Sequence, residues 1–295
     1  MTSGRSARKN RRPIYIQPNH FADSLSHQQA YYLFLDIDGT LADFTLNPKD
    51  SIIPKSTLLL LQQIQNYGVK IAAVTGRSLG EARQMLSPLR LPIAATHGLE
   101  IALHDGSDNH EKDLASIDIT ELAIIRQAII QSCTAFDGFT IEHKPYSVAL
   151  HFRENPSLAD TAYTIMTKVL TKHNNWVLKP GKYVWELVPR GANKGTAILT
   201  LLKKTQSSES LCPIFIGDDS TDEAGFMAIQ GESISLDGYQ HPIKGMGIKV
   251  GHEPTHAHYY VDGTHEVTIL LNSFLSFYKQ RRALTKEPVR VRHML

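Results

Sequence analysis

Residues 31–44 read YYLFLDIDGTLADF. Tyr31 to Leu35 form an unbroken apolar and aromatic run, and two carboxylates, Asp36 and Asp38, follow with one residue between them. Gly39 and Thr40 come next. A short apolar run closed by a turn signal predicts a buried strand. Such a strand delivers two like charges to one place, and something there must offset them.

The surrounding sequence repeats this arrangement. A helix capped by Ser56 and carrying Leu58, Leu59, Leu61 and Ile64 is expected to stop at Gly68. Val69 to Val74 reads as a second buried strand ending at Thr75-Gly76-Arg77. A helix over about 79–87 and an apolar segment over 92–95 follow, the latter ending at Thr96-His97-Gly98. Strand and helix alternating in this way predict a parallel sheet covered by helices. The polar stretch HDGSDNHEKD (104–113) reads as a hinge. Beyond it, a helix near 119–133, a hairpin in 138–153, a helix near 157–173 and a hairpin in 176–189 predict an inserted α+β module. The first pattern resumes with a helix over 194–204. A strand over 213–216 then ends at Gly217-Asp218-Asp219, a helix begins near Thr221, a strand spans 245–250 and a helix closes the fold over 264–278.

The expected fold is therefore α/β, with a doubly wound Rossmann-like parallel-sheet core over 31–105 and 193–278. A smaller α+β cap over 106–192 is inserted into it. Residues 1–30 and 279–295 are expected to be basic tails. These ends carry +4 and +5 of a total charge of +2, so residues 31–278 carry −7. That balance argues against a nucleic-acid-binding body. No apolar run reaches the roughly 18–20 residues of a membrane span. MTSGRSARKNRRP lacks the apolar stretch of a secretory signal, although its Arg and Ser content leaves an organelle transit sequence open. Cys133 and Cys212 form no CxxC pair and read as buried thiols in a reducing, cytoplasmic setting. No exposed apolar stripe calls for an oligomer, so a monomer is expected.

The chemistry-bearing residues fall just past strand ends, where open parallel sheets bind ligands. Asp36, Asp38, Asp218 and Asp219 on one rim require a cation, and an all-oxygen donor set suits Mg²⁺. Mg²⁺ held by few carboxylates completes its shell with water and phosphate, which makes the rim a metal–phosphate site. Asp36 is placed to act as a nucleophile and Asp38 as a proton donor and acceptor. Thr75 and Lys194 are placed to hold phosphate oxygens.

FLDIDGTL, AAVTGR, ANKG and FIGDDSTDE together resemble the four motifs of the haloacid dehalogenase-type phosphatase superfamily. GDDSTDE, EHKPYSVALHFR and WELVPRGANKG are similar to the forms found in its trehalose-6-phosphate phosphatase family. The resemblance spans nearly all of 31–278. It implies an Mg²⁺-dependent hydrolase of a small sugar phosphate, acting through an aspartyl-phosphate on Asp36. Asp38 would then be the acid/base, and the metal would be held by Asp36, the Asp38 carbonyl and Asp218, with Asp219 close by. Thr75, Gly76 and Lys194 would surround the phosphate, Asp222 would orient Lys194, and Arg77 would stand at the mouth. Glu142, Lys144, Ser147, His151, Arg153 and Glu186 would bind sugar hydroxyls from the cap. Another sugar phosphate, such as sucrose 6-phosphate or mannosyl-3-phosphoglycerate, is the alternative substrate. A catalytically silent sugar-phosphate-binding domain is the alternative class.

Period-two alternation supports the cap reading separately. Val148, Leu150 and Phe152 share one strand face, and Ser147, His151 and Arg153 share the other. Plainer readings stand beside the functional ones. Glu142 and Lys144 also suit a solvated strand face, and His151 a surface or core histidine. His97 suits a turn as well as a substrate contact. His252, His256 and His258 read as loop residues rather than zinc ligands. Trp176, Tyr183 and Trp185 read as cap core rather than a stacking platform for sugar.

Overall fold

A computed structural model describes residues 12–45, 47–103, 118–205, 211–231 and 244–286. The expected hinge at 104–113 and the outer parts of both tails lie outside the described residues.

The larger sheet is built around β2 (Ala30–Leu35), the strand of the opening stretch. Its neighbours are β10 (Leu211–Gly217) and β3 (Lys70–Val74), both parallel to it. The full order is β1-β12-β11-β10-β2-β3-β4-β5, with β1 (Ile14–Tyr15), β4 (Ile93–Ala95), β5 (Glu100–Ala102), β11 (Met246–Val250) and β12 (Tyr259–Val261). Every pairing is parallel except β4 with β5.

The unbroken apolar run of β2 is explained by burial on both faces. Tyr31, Leu33 and Leu35 enter one apolar cluster with α1 (Lys55–Asn66), α2 (Leu79–Leu86) and α7 (Thr264–Lys286). Tyr32 and Phe34 enter the opposite cluster with α5 (Lys194–Lys204) and α6 (Glu223–Gln230). Chain order reverses on either side of β2, which opens a crevice at its carboxyl end.

The second sheet is antiparallel, in the order β6-β7-β9-β8, from β6 (Thr140–Lys144), β7 (Ser147–His151), β8 (Trp176–Gly181) and β9 (Val184–Pro189). Val148, Leu150 and Phe152 pack on α3 (Ile119–Cys133) and α4 (Ala159–Leu170), together with Trp176 and Leu187. This unit is called the cap below. Glu121 ties its parts together by accepting hydrogen bonds from Trp176 Nε1 at 2.9 Å and pairing with His173 Nδ1 at 2.8 Å.

Four expectations need correction. Residues 1–30 are not a tail throughout. Ile14–Tyr15 adds a strand beside β12, and a 3-10 helix at Pro18–Ser24 packs on α7. Phe21 is 1% exposed there and stacks on Phe274 at 6.3 Å. The C-terminal helix also runs past 278 to Lys286, and Arg281 donates to the Gln29 carbonyl at 2.8 Å. Both corrections have one cause. The N-terminal segment finds its partners on β12 and α7, about 250 positions away, where no local pattern can show them. Ser56 does not cap α1, which starts at Lys55 behind Pro54 without a side-chain cap. The buried face of α1 is Leu60, Leu61 and Ile64, while Leu59 points outward. Finally, Tyr183 is not cap core. It stands exposed at the β8–β9 hairpin tip, whereas Trp176 is buried and Trp185 packs against the cap core.

The packing of Phe21 gives a direct measurement. Removing a buried aromatic ring costs about 3–5 kcal/mol. Phe21→Ala is expected to lower unfolding free energy by about that amount in urea titration. A change below about 0.5 kcal/mol would mean that the segment is a solvated tail after all.

Candidate active site

Three adjacent strands end on one rim. β2 hands over to Asp36, whose amide still donates to the Ile216 carbonyl at 3.0 Å. The chain then turns tightly, with the Ala42 and Leu41 amides both donating to the Ile37 carbonyl. Gly39 takes φ +74 in this turn, and a Cβ there would lie 2.0 Å from Asp218 Oδ2. Only glycine lets the Asp36–Asp38 loop and the end of β10 approach this closely. Thr75 follows β3 and is buried.

α5 supplies the cation. Asn193 caps it through a side-chain oxygen that accepts from Thr196 N at 2.8 Å. Lys194 is the first helical residue, and Gly195 leaves room for α6, since a Cβ there would meet the Ala224 carbonyl at 2.3 Å. Lys194 Nζ is buried between Asp36 Oδ1 at 2.9 Å and Asp222 Oδ1 at 2.7 Å. The other oxygen of Asp222 accepts from the Asp218 and Asp219 amides, each at 3.0 Å. Asp222 is thus fully occupied and fixes both Lys194 and the loop after β10.

Asp38 is held differently. Arg77 donates to it twice, Nε to Oδ2 at 2.7 Å and Nη2 to Oδ1 at 2.6 Å. Ser51 Oγ adds a third bond at 2.9 Å. Burial pushes the Asp38 carboxyl up, but the Arg77 and Ser51 donors outweigh it and hold the group below its usual range. The opposite holds for Asp218. Burial, reinforced by the charges of Asp219 and Asp222, pushes it up to about 8. Asp36 is also raised, first by burial, against the pull of Lys194.

Carboxylate oxygens of Asp36, Asp218 and Asp222 all lie within 4.8 Å of one another. Because Asp222 is spent on Lys194 and two amides, Asp36 and Asp218 are left to share a ligand. An oxygen-only pair that resists ionisation without a neighbouring charge fits a hard divalent cation. The carboxylates of Asp219, expected beside the metal, and of Asp38, expected as a backbone ligand, are both engaged elsewhere. The Asp219 carboxylate accepts from Thr221 N and Oγ1 at 2.7 and 2.6 Å, and stays outside the cluster. The Asp38 carboxylate is taken by Arg77 and Ser51 and is not part of the cluster. Among the described residues, His252 and His256 pair with Asp262 and Glu223 and form no metal group.

The cap turns its polar face to this rim. β6, β7, β9 and β8 register Glu142, Ala149, Glu186 and Lys179 in one cross-strand row. Glu186 accepts from Ser147 Oγ at 2.5 Å and Lys144 Nζ at 3.1 Å. Lys144 also donates to the Gly76 carbonyl of the core at 3.0 Å. Glu142 pairs with His151 Nε2 at 2.8 Å. Burial opposes ionisation of Glu186, yet Lys144, then His97 and Ser147, hold it well below the usual carboxylate range. The cleft between the two units has a volume of about 120 Å³ and is lined by all four core motifs together with Glu142, Lys144, His151, Arg153 and Glu186.

Arg77 is deeper than expected, locked onto Asp38 rather than standing at the mouth. Arg153 Nη1 donates to the Thr45 carbonyl of the core at 2.7 Å. Ser51 and Lys249 were not singled out from sequence, and His97 was read as either a turn residue or a substrate contact. His97, at φ +56 after β4, sets Nε2 3.3 Å from Glu186 Oε2. Ser51 meets Asp38, and Lys249, buried at the end of β11, donates to the Asp218 carbonyl. The only local signal for any of them is Thr96-His97-Gly98 at a strand end.

A family model described as trehalose-phosphatase matches residues 34–265. The trehalose-6-phosphate phosphatase of Escherichia coli K12 is 28% identical over 253 residues, covering 85% of this chain and 89% of the relative. A probable trehalose-phosphate phosphatase of Sinorhizobium fredii is 34% identical over 199 residues, covering 67% of this chain and 73% of the relative. The fold is similar to the C-terminal domain of Candida albicans trehalose-6-phosphate phosphatase, with a TM-score of 0.77 at 19% identity over 91% of this chain and 99% of that one.

Two measurements follow from the geometry. Mg²⁺ at a hundredfold excess over its Kd should add about 2.7 kcal/mol to the unfolding free energy of the folded protein. Asp218→Asn should abolish that increment, and an equal increment in the variant would move the ion elsewhere. The second concerns Glu186, whose folded value lies below its ordinary 4.5. Its pairing therefore stabilises above about pH 4.5 and is lost as pH falls below that value. Wild type should lose stability more steeply than Glu186→Gln between pH 4.5 and 3, and parallel curves would contradict the pairing.

Proposed function

Because this chain belongs to the trehalose-phosphatase family and is a phosphoric monoester hydrolase, we propose the following site chemistry for it. The substrate is trehalose 6-phosphate, and the products are trehalose and inorganic phosphate. The observation that carries this reading is the buried Lys194 ammonium, 2.9 Å from Asp36 and 2.7 Å from Asp222, on the rim that the cap's polar face covers.

Lys194 draws Asp36 toward its ionised form, against the burial that raises it. An Asp36 oxygen attacks phosphorus, the bond from phosphorus to the sugar oxygen breaks, and an aspartyl-phosphate forms. Thr75 and Lys194 bind the phosphoryl oxygens. Asp38 supplies a proton to the departing sugar oxygen, then takes one from the water that attacks the aspartyl-phosphate and releases phosphate. Clamped by Arg77, Asp38 is in its base form, so service as the acid requires Arg77 to let go. Mg²⁺, held by the Asp36 carboxylate, the Asp38 backbone carbonyl and Asp218, would offset charge on the transferring oxygens.

Glu142, Lys144, His151, Arg153 and Glu186 recognise the sugar, while Ser147, expected among them, lies buried behind Glu186 and holds that carboxylate. Buried polar groups of this kind reject analogues that lack the matching hydroxyls, because they would be left unpaired. No helix among the described residues is long and apolar enough to cross a membrane. A monomer acting in the cytoplasm on a small molecule, without nucleic acid, fits the acidic body.

Phosphate release from trehalose 6-phosphate tests the proposal. Activity should require Mg²⁺ and vanish with EDTA, and Asp36→Asn should lower kcat by at least about a thousandfold. Release at the parent rate by that variant would remove Asp36 as nucleophile. Equal turnover of sucrose 6-phosphate and mannosyl-3-phosphoglycerate would remove the substrate assignment, and no release from any ester would leave a binding domain.

A further inference from the structure

Phe44 lies on the core loop eight residues after Asp36 and plays no part in the chemistry above. It is half-buried, and its ring meets two cations from the cap. Arg153 Cζ lies 4.2 Å from the ring centroid and Lys182 Nζ 4.5 Å from it. Both are inside the range over which the negative face of an aromatic ring attracts a cation. Arg153 follows β7, and Lys182 stands at the β8–β9 hairpin tip, so the two come from separate parts of the cap. Arg153 is further anchored to the core through Thr45.

The hairpin tip is shaped to reach Phe44. Tyr183 adopts φ +60, a conformation that bulky residues avoid. Its carbonyl accepts from Phe152 N at 3.0 Å, and its ring lies 6.2 Å from both Phe44 and Phe152. This ties the tip to the end of β7 and presents Lys182 and Tyr183 to the same core ring. Two like charges brought to one spot repel, and the Phe44 ring is a core group that attracts both, beside the Asp38 charge that acts on Arg153. Ser220 Oγ also donates across the units to the Pro180 carbonyl at 3.2 Å.

We propose that Phe44 is a positioning residue: its ring draws Arg153 and Lys182 onto the core and so holds the cap shut over the rim. Arg153 is thereby set at the cleft wall in the orientation it needs. The kinetic part of this inference rests on the phosphatase reading, while the conformational part does not.

The test separates ring electrostatics from packing. Phe44→Leu keeps an apolar side chain of similar bulk but lacks the ring, whereas Phe44→Tyr keeps the ring. Spin labels at Gln62→Cys on the core and Gln131→Cys on the cap, both exposed positions, report the distance between units. The native Cys133 and Cys212 are buried. Phe44→Leu is expected to raise the long-distance population about five- to tenfold, and Phe44→Tyr to leave it at the parent level. Lys182→Met should raise it in the parent and add nothing further in the Phe44→Leu background. With trehalose 6-phosphate, KM should rise about five- to tenfold in Phe44→Leu and return with Phe44→Tyr. Distances unchanged in Phe44→Leu, or raised equally in Phe44→Tyr, would overturn the proposal. Absence of turnover with the expected distance shift would instead count against the substrate assignment alone.

Discussion

The ion triplet Asp36–Lys194–Asp222 is the constraint on which the rest of the site depends. An ammonium taken fully out of water is costly unless it is paired and hydrogen-bonded. Here it gains two carboxylates at 2.9 and 2.7 Å. Those carboxylates come from the ends of different elements, so one interaction fixes β2, α5 and the loop after β10 against each other. Asp222 extends the constraint by accepting the Asp218 and Asp219 amides. The glycines follow from the same crowding. At Gly39 and Gly217 a side chain would occupy space already taken by Asp218 and Asp222.

This arrangement separates two aspartates that differ by only two positions. Asp36 sits beside a lysine and other carboxylates and is raised by burial, while Asp38 is clamped by Arg77 and Ser51 and is lowered. The groups packed against each carboxyl, and not the residue type, set the direction in which it moves. Cap and core meet through the same logic of paired charge. Lys144 bridges Glu186 to the Gly76 carbonyl, and His97 reaches Glu186 from the core side. The cap's polar face is thus registered against the loop that carries Thr75 and Arg77.

Much of this was legible from local pattern. The run before Asp36 is apolar at every position because β2 is covered on both sides, and that is visible as a string of letters. The helix expected over 194–204 is α5, and it starts at Lys194 as read. Alternation along 147–153 predicted the face of β7 that meets α3 and α4. What escaped were residues whose partners are remote. Phe21 and Phe274 look unremarkable singly, and Ser51 lies in a loop with no periodicity to read. The resemblance set Arg77 at the mouth, because nothing local shows that Asp38 occupies it.

The amino-acid order by itself determined the strand ends, the helices between them and the set of ionisable groups delivered to one rim. Periodicity and turn chemistry act over a few residues, and those decisions are made at that range. Only the tertiary structure decided which carboxylate each cation takes: Lys194 goes to Asp36 and Asp222, Arg77 to Asp38, and Lys144 to Glu186. The reason is that Coulomb energy and desolvation depend on distance in space. Those distances are set by how β10 and β3 flank β2 and how the cap folds back, which no window of neighbouring residues contains.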